Sequence, residues 1–192
     1  MLQELDYEIL DASENILPSC LRKPFPEEIH VIRGLSSICD KALEAAHGAV
    51  GVGRHEYEIA AVVDYEARRH GITEFSFPTV IASGYRAAFP HGGISSKVIG
   101  EGDPVVVDVG PILDGYDGDV CRTFIAGNKT AWRRELEVVQ EAIHMSLEAI
   151  KSQEIVKAAH IDNVAREVVR KAGYRTWPDE MRTVWTGHPV GG

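Results

Sequence analysis

The apolar positions of this chain follow two periods. Ile29, Ile32, Leu35, Cys39, Leu43 and Ala46 recur at steps of three and four, which predicts a helix over about residues 26–46 with a single apolar stripe. Pro26 suits a first-turn position, and Glu27 and Glu28 complement the helix dipole. Ile59, Val62, Val63 and Ala67 predict a second helix over about 55–70, stopped by Gly71. Trp132, Leu136, Val139, Ile143, Leu147 and Ile150 predict a third over about 131–150, with His144 and Met145 beside the stripe as packing or surface residues. Ile161, Ala165, Val168 and Ala172 predict a fourth over about 158–172, stopped by Gly173. Between the second and third helices the pattern changes to short apolar runs, at about 77–82, 105–109 and 120–125, and another β-like run lies at 183–186. The class is therefore α+β.

The two halves repeat in pattern. Each has a pair of helices followed by strand, and the stops Gly71 and Gly173 lie 173 − 71 = 102 residues apart. The first copy carries a hairpin at about 103–125, so a second is expected near 205–227, beyond residue 192. Either the natural protein continues, or the second helix pair presents an apolar face that a partner covers. Residues 1–24, broken by Pro18 and Pro24, read as a leader or interdomain linker, and residues 25–192 as one domain with an incomplete second half.

Composition narrows the partners. The chain has 192 residues, 44% hydrophobic and 26% charged, as a soluble globular protein has. Its net charge is −9 and it holds no basic cluster, which argues against nucleic acid and anionic membranes. No apolar run approaches the ~20 residues of a membrane span, and the N-terminus lacks the basic start and apolar core of a signal peptide. Cys20, Cys39 and Cys121 are odd in number and form no CxxC, which fits a reducing, cytoplasmic setting. Gly48, Gly51 and Gly53 do not have dinucleotide-loop spacing, and His55-Glu56 has no second histidine at the step a zinc helix needs.

The chemistry gathers in residues 77–127. The runs 105–109 and 120–125 flank a segment rich in Pro, Gly and Asp, which reads as a hairpin whose loop is 111–116. Each run carries an aspartate, Asp108 and Asp119, and a charged residue in a Val-rich strand needs a partner. Setting Gly110 opposite Asp117 places Asp108 opposite Asp119 on one face, with Cβ atoms about 4.5–5.5 Å apart. Two like charges there repel, so either one stays protonated or a cation lies between them. Oxygen-rich sites suit Mn or Mg, or Zn and Co where histidine joins. The DGYDGD run does not match a calcium loop, because the twelfth position from Asp114 is Ile125; Asp114 and Asp117 read as turn residues.

This stretch resembles the methionine aminopeptidase, Xaa-Pro peptidase and creatinase superfamily, the pita-bread metallopeptidases. The matching residues are Ala82-Ser83-Gly84, Pro90-His91-Gly92, Gly102-Asp103, Asp108-Val109-Gly110, Gly115-Tyr116 and Asp119-Val120-Cys121-Arg122-Thr123-Phe124. The Asp-x-x-Arg-Thr run is similar to the Xaa-Pro (prolidase) branch. The resemblance implies a curved, mostly antiparallel sheet covered by helices with pseudo-twofold symmetry. It implies two divalent metal ions (Mn, Co or Zn), with Asp108 and Asp119 as ligands and His91 in contact with a peptide substrate. Gly187-His188 falls where the family has a Gly-His-Gly motif, making His188 the implied third ligand, although Pro189 departs from the pattern. The last two ligands, both glutamates, fall beyond residue 192, so these 192 residues are expected to bind metal weakly and to turn over little.

The implied function is a metal-dependent exopeptidase that releases the N-terminal residue from peptides, through metal-activated water. Arg122 is expected to neutralise a nearby acid, and Cys121 to be a small buried residue where the family often has Thr. A homodimer is left open. Two alternatives stand beside the exopeptidase: a non-catalytic module that binds protein segments in the cleft, and a creatinase-like hydrolase that does not need the metal pair.

Overall fold

The computed structural model describes residues 23–129, 131–152 and 157–176. The leader up to residue 22, the β-like run at 183–186 and His188 lie outside these residues.

Four helices form where the stripes predict them. They are α1 (Pro26–Ala49), α2 (Glu56–Arg69), α3 (Arg133–Lys151) and α4 (Ala158–Lys171). Glutamates in the first turn tie down two of the starts. Glu28 accepts the Phe25 N–H at 2.5 Å, and Glu58 accepts the His55 N–H at 2.6 Å, each satisfying a backbone donor that the helix leaves unpaired.

Among the described residues the strands are β1 (Glu74–Phe75), β2 (Val80–Ser83), β3 (Pro104–Val109), β4 (Pro111–Leu113), β5 (Tyr116–Asp117) and β6 (Val120–Ile125). They make two antiparallel sheets of three strands, ordered β2-β3-β6 and β1-β4-β5. β3 alternates half-buried and buried positions along its length. Val105, Val107 and Val109 point to one face and bury completely with Ala42, Leu43 and Ala46 of α1 and Ile59 and Val63 of α2. Asp108 points to the opposite face, which is only half-buried.

The hairpin differs from expectation in its turn and hence its register. Asp114 and Gly115 alone make the turn, with φ of 50° and 83°. Two left-handed residues in succession are the two-residue turn that matches strand twist, and Asp-Gly is a favoured pair for it. Leu113 therefore pairs with Tyr116 and Ile112 with Asp117, and 111–116 is not a loop. The same register carries into the larger sheet, where Asp108 lies opposite Cys121 and Val109 opposite Val120. Asp119 is thus displaced by two residues from the position facing Asp108. A shift of two keeps the side-chain face, whereas a shift of one reverses it.

The strand expected at 77–82 starts later, at Val80. Pro78 has no N–H to give a ladder. Ser76 turns instead to Gly110, donating both its N–H (2.8 Å) and its hydroxyl (3.1 Å) to the Gly110 carbonyl. A Cβ at Gly110 would come within 2.4 Å of the Ser76 hydroxyl and the Phe77 ring, so only glycine fits this crossing.

α3 and α4 pack chiefly on each other. Their relation to α1 and α2 is closest at an offset of 104 between α1 and α3: Leu35 corresponds to Val139, Cys39 to Ile143, Leu43 to Leu147 and Ala46 to Ile150. The α1 residues are buried under the sheet, whereas Val139, Ile143, Leu147 and Ile150 are 43–54% exposed among the described residues.

Candidate metal and substrate site

Asp108 occupies the centre of the three-stranded sheet, with Val80 on one side and Cys121 on the other. Its Oδ1 is screened from solvent. Asp119 directly precedes β6, and its charge reaches the Cys121 thiol. Desolvation, then the carboxylates of Asp108 and Asp119, push that thiol up to about 11. Cys121 thus reports negative potential from both aspartates. Asp119 also acts on Cys39 of α1, whose thiol is pushed up to about 11 mainly by burial and then by Asp40. The two carboxylates therefore flank the end of the hairpin, close to one row of the sheet. Cys121 is exposed rather than buried.

His91 lies in an exposed turn after a 3₁₀ helix, Gly84–Ala88. Its neighbour Gly92 approaches β2 so closely that a Cβ there would come within 3.1 Å of the Ala82 Cβ. Ala82 pairs with Val106, so it shares the face that carries Asp108. The His91 turn therefore lies over the carboxylate face, one row along from Asp108. The His91 turn and Asp108 share one side of one sheet, Asp119 directly precedes β6, and His188 lies outside the described residues.

A buried glutamate organises this excursion, and the sequence reading missed it. Glu56, in the first turn of α2, is fully buried. Its Oε1 accepts the N–H and hydroxyl of Ser83, at 2.8 and 2.9 Å, and its Oε2 accepts those of Ser95, at 3.1 and 2.6 Å. Arg86 donates its Nε–H to Oε2 at 3.1 Å. Desolvation opposes the charge, but these donors and Arg86 outweigh it and hold the carboxyl below its usual range. Nearby, Lys97 bonds Asp103 at 2.6 Å and the Ser83 hydroxyl at 3.0 Å. A first-turn glutamate reads in sequence as a dipole complement; only the fold shows that it is enclosed. Arg122 also departs from expectation: it donates Nη1–H to the Cys121 carbonyl at 2.8 Å, and no acid among the described residues pairs with it.

The sequence profile of metallopeptidase family M24 matches residues 30–192. The chain belongs to this family. It is 40% identical over 149 residues to a Xaa-Pro dipeptidase of Pyrococcus furiosus, an alignment covering 77% of this chain and 42% of that relative. With a Xaa-Pro dipeptidase of Pyrococcus horikoshii it shares 36% identity over 166 residues, or 86% of this chain and 46% of that one. The solved prolidase of Pyrococcus horikoshii matches with a TM-score of 0.80 at 33% identity, over 93% of this chain and 50% of the other. These relatives bear out the prolidase branch of the pita-bread superfamily and its α+β fold. The M24 chain spans less than half the length of these curated relatives.

A metallopeptidase family implies divalent metal ions. The donors of this M24 chain fit that need in part. Asp108 and Asp119 offer hard oxygen ligands that both act on Cys121, one of them screened from water. Among the described residues no group of three or more His, Cys, Asp or Glu is arranged to hold a metal ion.

Proposed function

We propose that this M24 chain carries the substrate-facing half of a metal-dependent exopeptidase that releases the N-terminal residue from peptides with proline in second place. One observation supports this most: the His91 turn packs over the same half-open sheet face that presents Asp108. The relatives named for Xaa-Pro dipeptides favour the substrate class.

In this reading Asp108 and Asp119 hold two divalent ions, Mn, Co or Zn, with His188 as a further ligand. Such ions, when bound, lower the pKa of water and polarise a carbonyl. The chain's own residues do the rest. Asp108 and Asp119 fix the positive charge at one row of the sheet. His91, exposed on its turn, donates an N–H to the substrate carbonyl oxygen and steadies the negative charge that develops there. Val80 and Val106 lie beside Asp108 on that face, and the apolar side chains there strengthen those interactions.

The test has two parts. Titration calorimetry with Mn²⁺ or Co²⁺ should show binding that Asp108→Asn and Asp119→Asn each abolish. In a longer natural chain that supplies the remaining ligands, release of the first residue from a Xaa-Pro peptide should depend on added metal and fall at least about a hundredfold in His91→Ala. Metal binding that survives both aspartate changes would sink the reading.

A further inference from the structure

The excursion between β2 and β3 carries His91, and its shape depends on one side chain. Arg86 donates Nε–H to the buried carboxylate of Glu56 and Nη2–H to the carbonyl of Gly92 at 2.5 Å and of Gly93 at 3.4 Å. Those carbonyls directly follow His91. Glu56 sits on the helix side of the sheet, against Ser83. Gly92 sits on the carboxylate side, against Ala82. The planar guanidinium spans the two, which a point charge on a flexible stem cannot do. Ser95, beyond the turn, returns to the same Glu56 carboxylate. Both ends of the His91 turn therefore converge on one buried charge that is itself rooted in the first turn of α2.

We propose that Glu56 and Arg86 are positioning residues, which fix where the His91 turn sits over the Asp108 face. The proposal rests on the reading of His91 as a substrate contact. Neither residue touches the reacting atoms; they act through the backbone of Gly92 and Gly93. The pair holds its place without metal, because every bond in it is made by the chain.

The experiment compares wild type with Arg86→Lys and Glu56→Gln by amide hydrogen exchange and by proton–carbon spectra with added Mn²⁺. The His91 ring signal is assigned by its loss in His91→Gln. Gly92 is the diagnostic amide, since its N–H bonds Phe89 and neither of the changed side chains. Arg86→Lys can still pair with Glu56 but cannot also hold the two carbonyls. Exchange at Gly92 should therefore rise by about tenfold or more while Val107 in the sheet is unchanged. Broadening of the His91 signal by Mn²⁺ should fall at equal metal occupancy. In Arg86→Lys a purely structural role would instead speed Gly92 and Val107 together, and would overturn the proposal. So would Gly92 exchange within about twofold of wild type in both variants. If Mn²⁺ broadens no signal in the wild type, the metal reading fails, and exchange at Gly92 still decides the positioning role.

Discussion

Asp108 faces Cys121 across the central strand pair, and Asp119 lies two residues before that cysteine on the same chain segment. The thiol is therefore a built-in probe of the charge at the site. Desolvation and both carboxylates keep it protonated up to about pH 11. At pH 8 its reaction with a thiol reagent should be slow. Asp108→Asn removes one repulsion, so the thiol pKa should fall and the rate at pH 8 should rise. Addition of a divalent ion to wild type should change the rate as well, by replacing net negative charge with positive. Stopped-flow labelling of a Cys20→Ser, Cys39→Ala variant isolates Cys121. A rate indifferent to Asp108→Asn would mean the carboxylate does not face the thiol.

The Asp114-Gly115 turn sets the register on which that geometry depends. Gly115 has φ of 83° and open space where a Cβ would stand, so substitution there meets backbone strain rather than a clash. Gly115→Ala should cost about 1–2 kcal/mol in urea denaturation. Asp114→Asn, which keeps a residue tolerant of left-handed φ, should cost little.

That turn also shows what a sequence can reveal. Asp114-Gly115 between two apolar runs is a strong short-range hairpin signal, and centring the turn there would have paired Asp108 with Cys121 at once. The helices were legible because their stripes are long and periodic, as Leu35, Cys39 and Leu43 show. The late start of β2 was not, because it depends on Ser76 reaching Gly110, 34 residues away. Glu56 was least legible. Nothing local separates it from Glu58, which caps the same helix; only the arrival of Ser83, Arg86 and Ser95 from the following segment encloses it.

Glu56 carries a pH signature for the fold. Its carboxyl titrates below its usual range when folded, so it contributes stability above the unfolded pKa of about 4.3. That contribution is lost as pH falls through the folded value. Glu56→Gln should remove this share of the acid dependence and leave Arg86 with an uncompensated charge. A loss of about 3 kcal/mol is expected at pH 7, shrinking at lower pH. Urea titrations of both proteins from pH 7 down to the acid limit measure it. Parallel curves, separated by a constant amount, would mean that folding does not shift the Glu56 carboxyl.

The repeat gives a final contrast between residues of the same type. Leu43 of α1 is 6% exposed in the core, and its counterpart Leu147 of α3 is 47% exposed among the described residues. Burial sets the cost of truncating each. Leu43→Ala removes packed methyl groups and should destabilise by about 2–5 kcal/mol. Leu147→Ala at an uncovered position should stay within about 0.5 kcal/mol. The same pair of changes made in a longer natural chain separates two pictures. If Leu147→Ala remains cheap there, the α3 stripe is a true surface. If its cost rises toward that of Leu43→Ala, further chain covers the second helix pair as β3 and β6 cover the first.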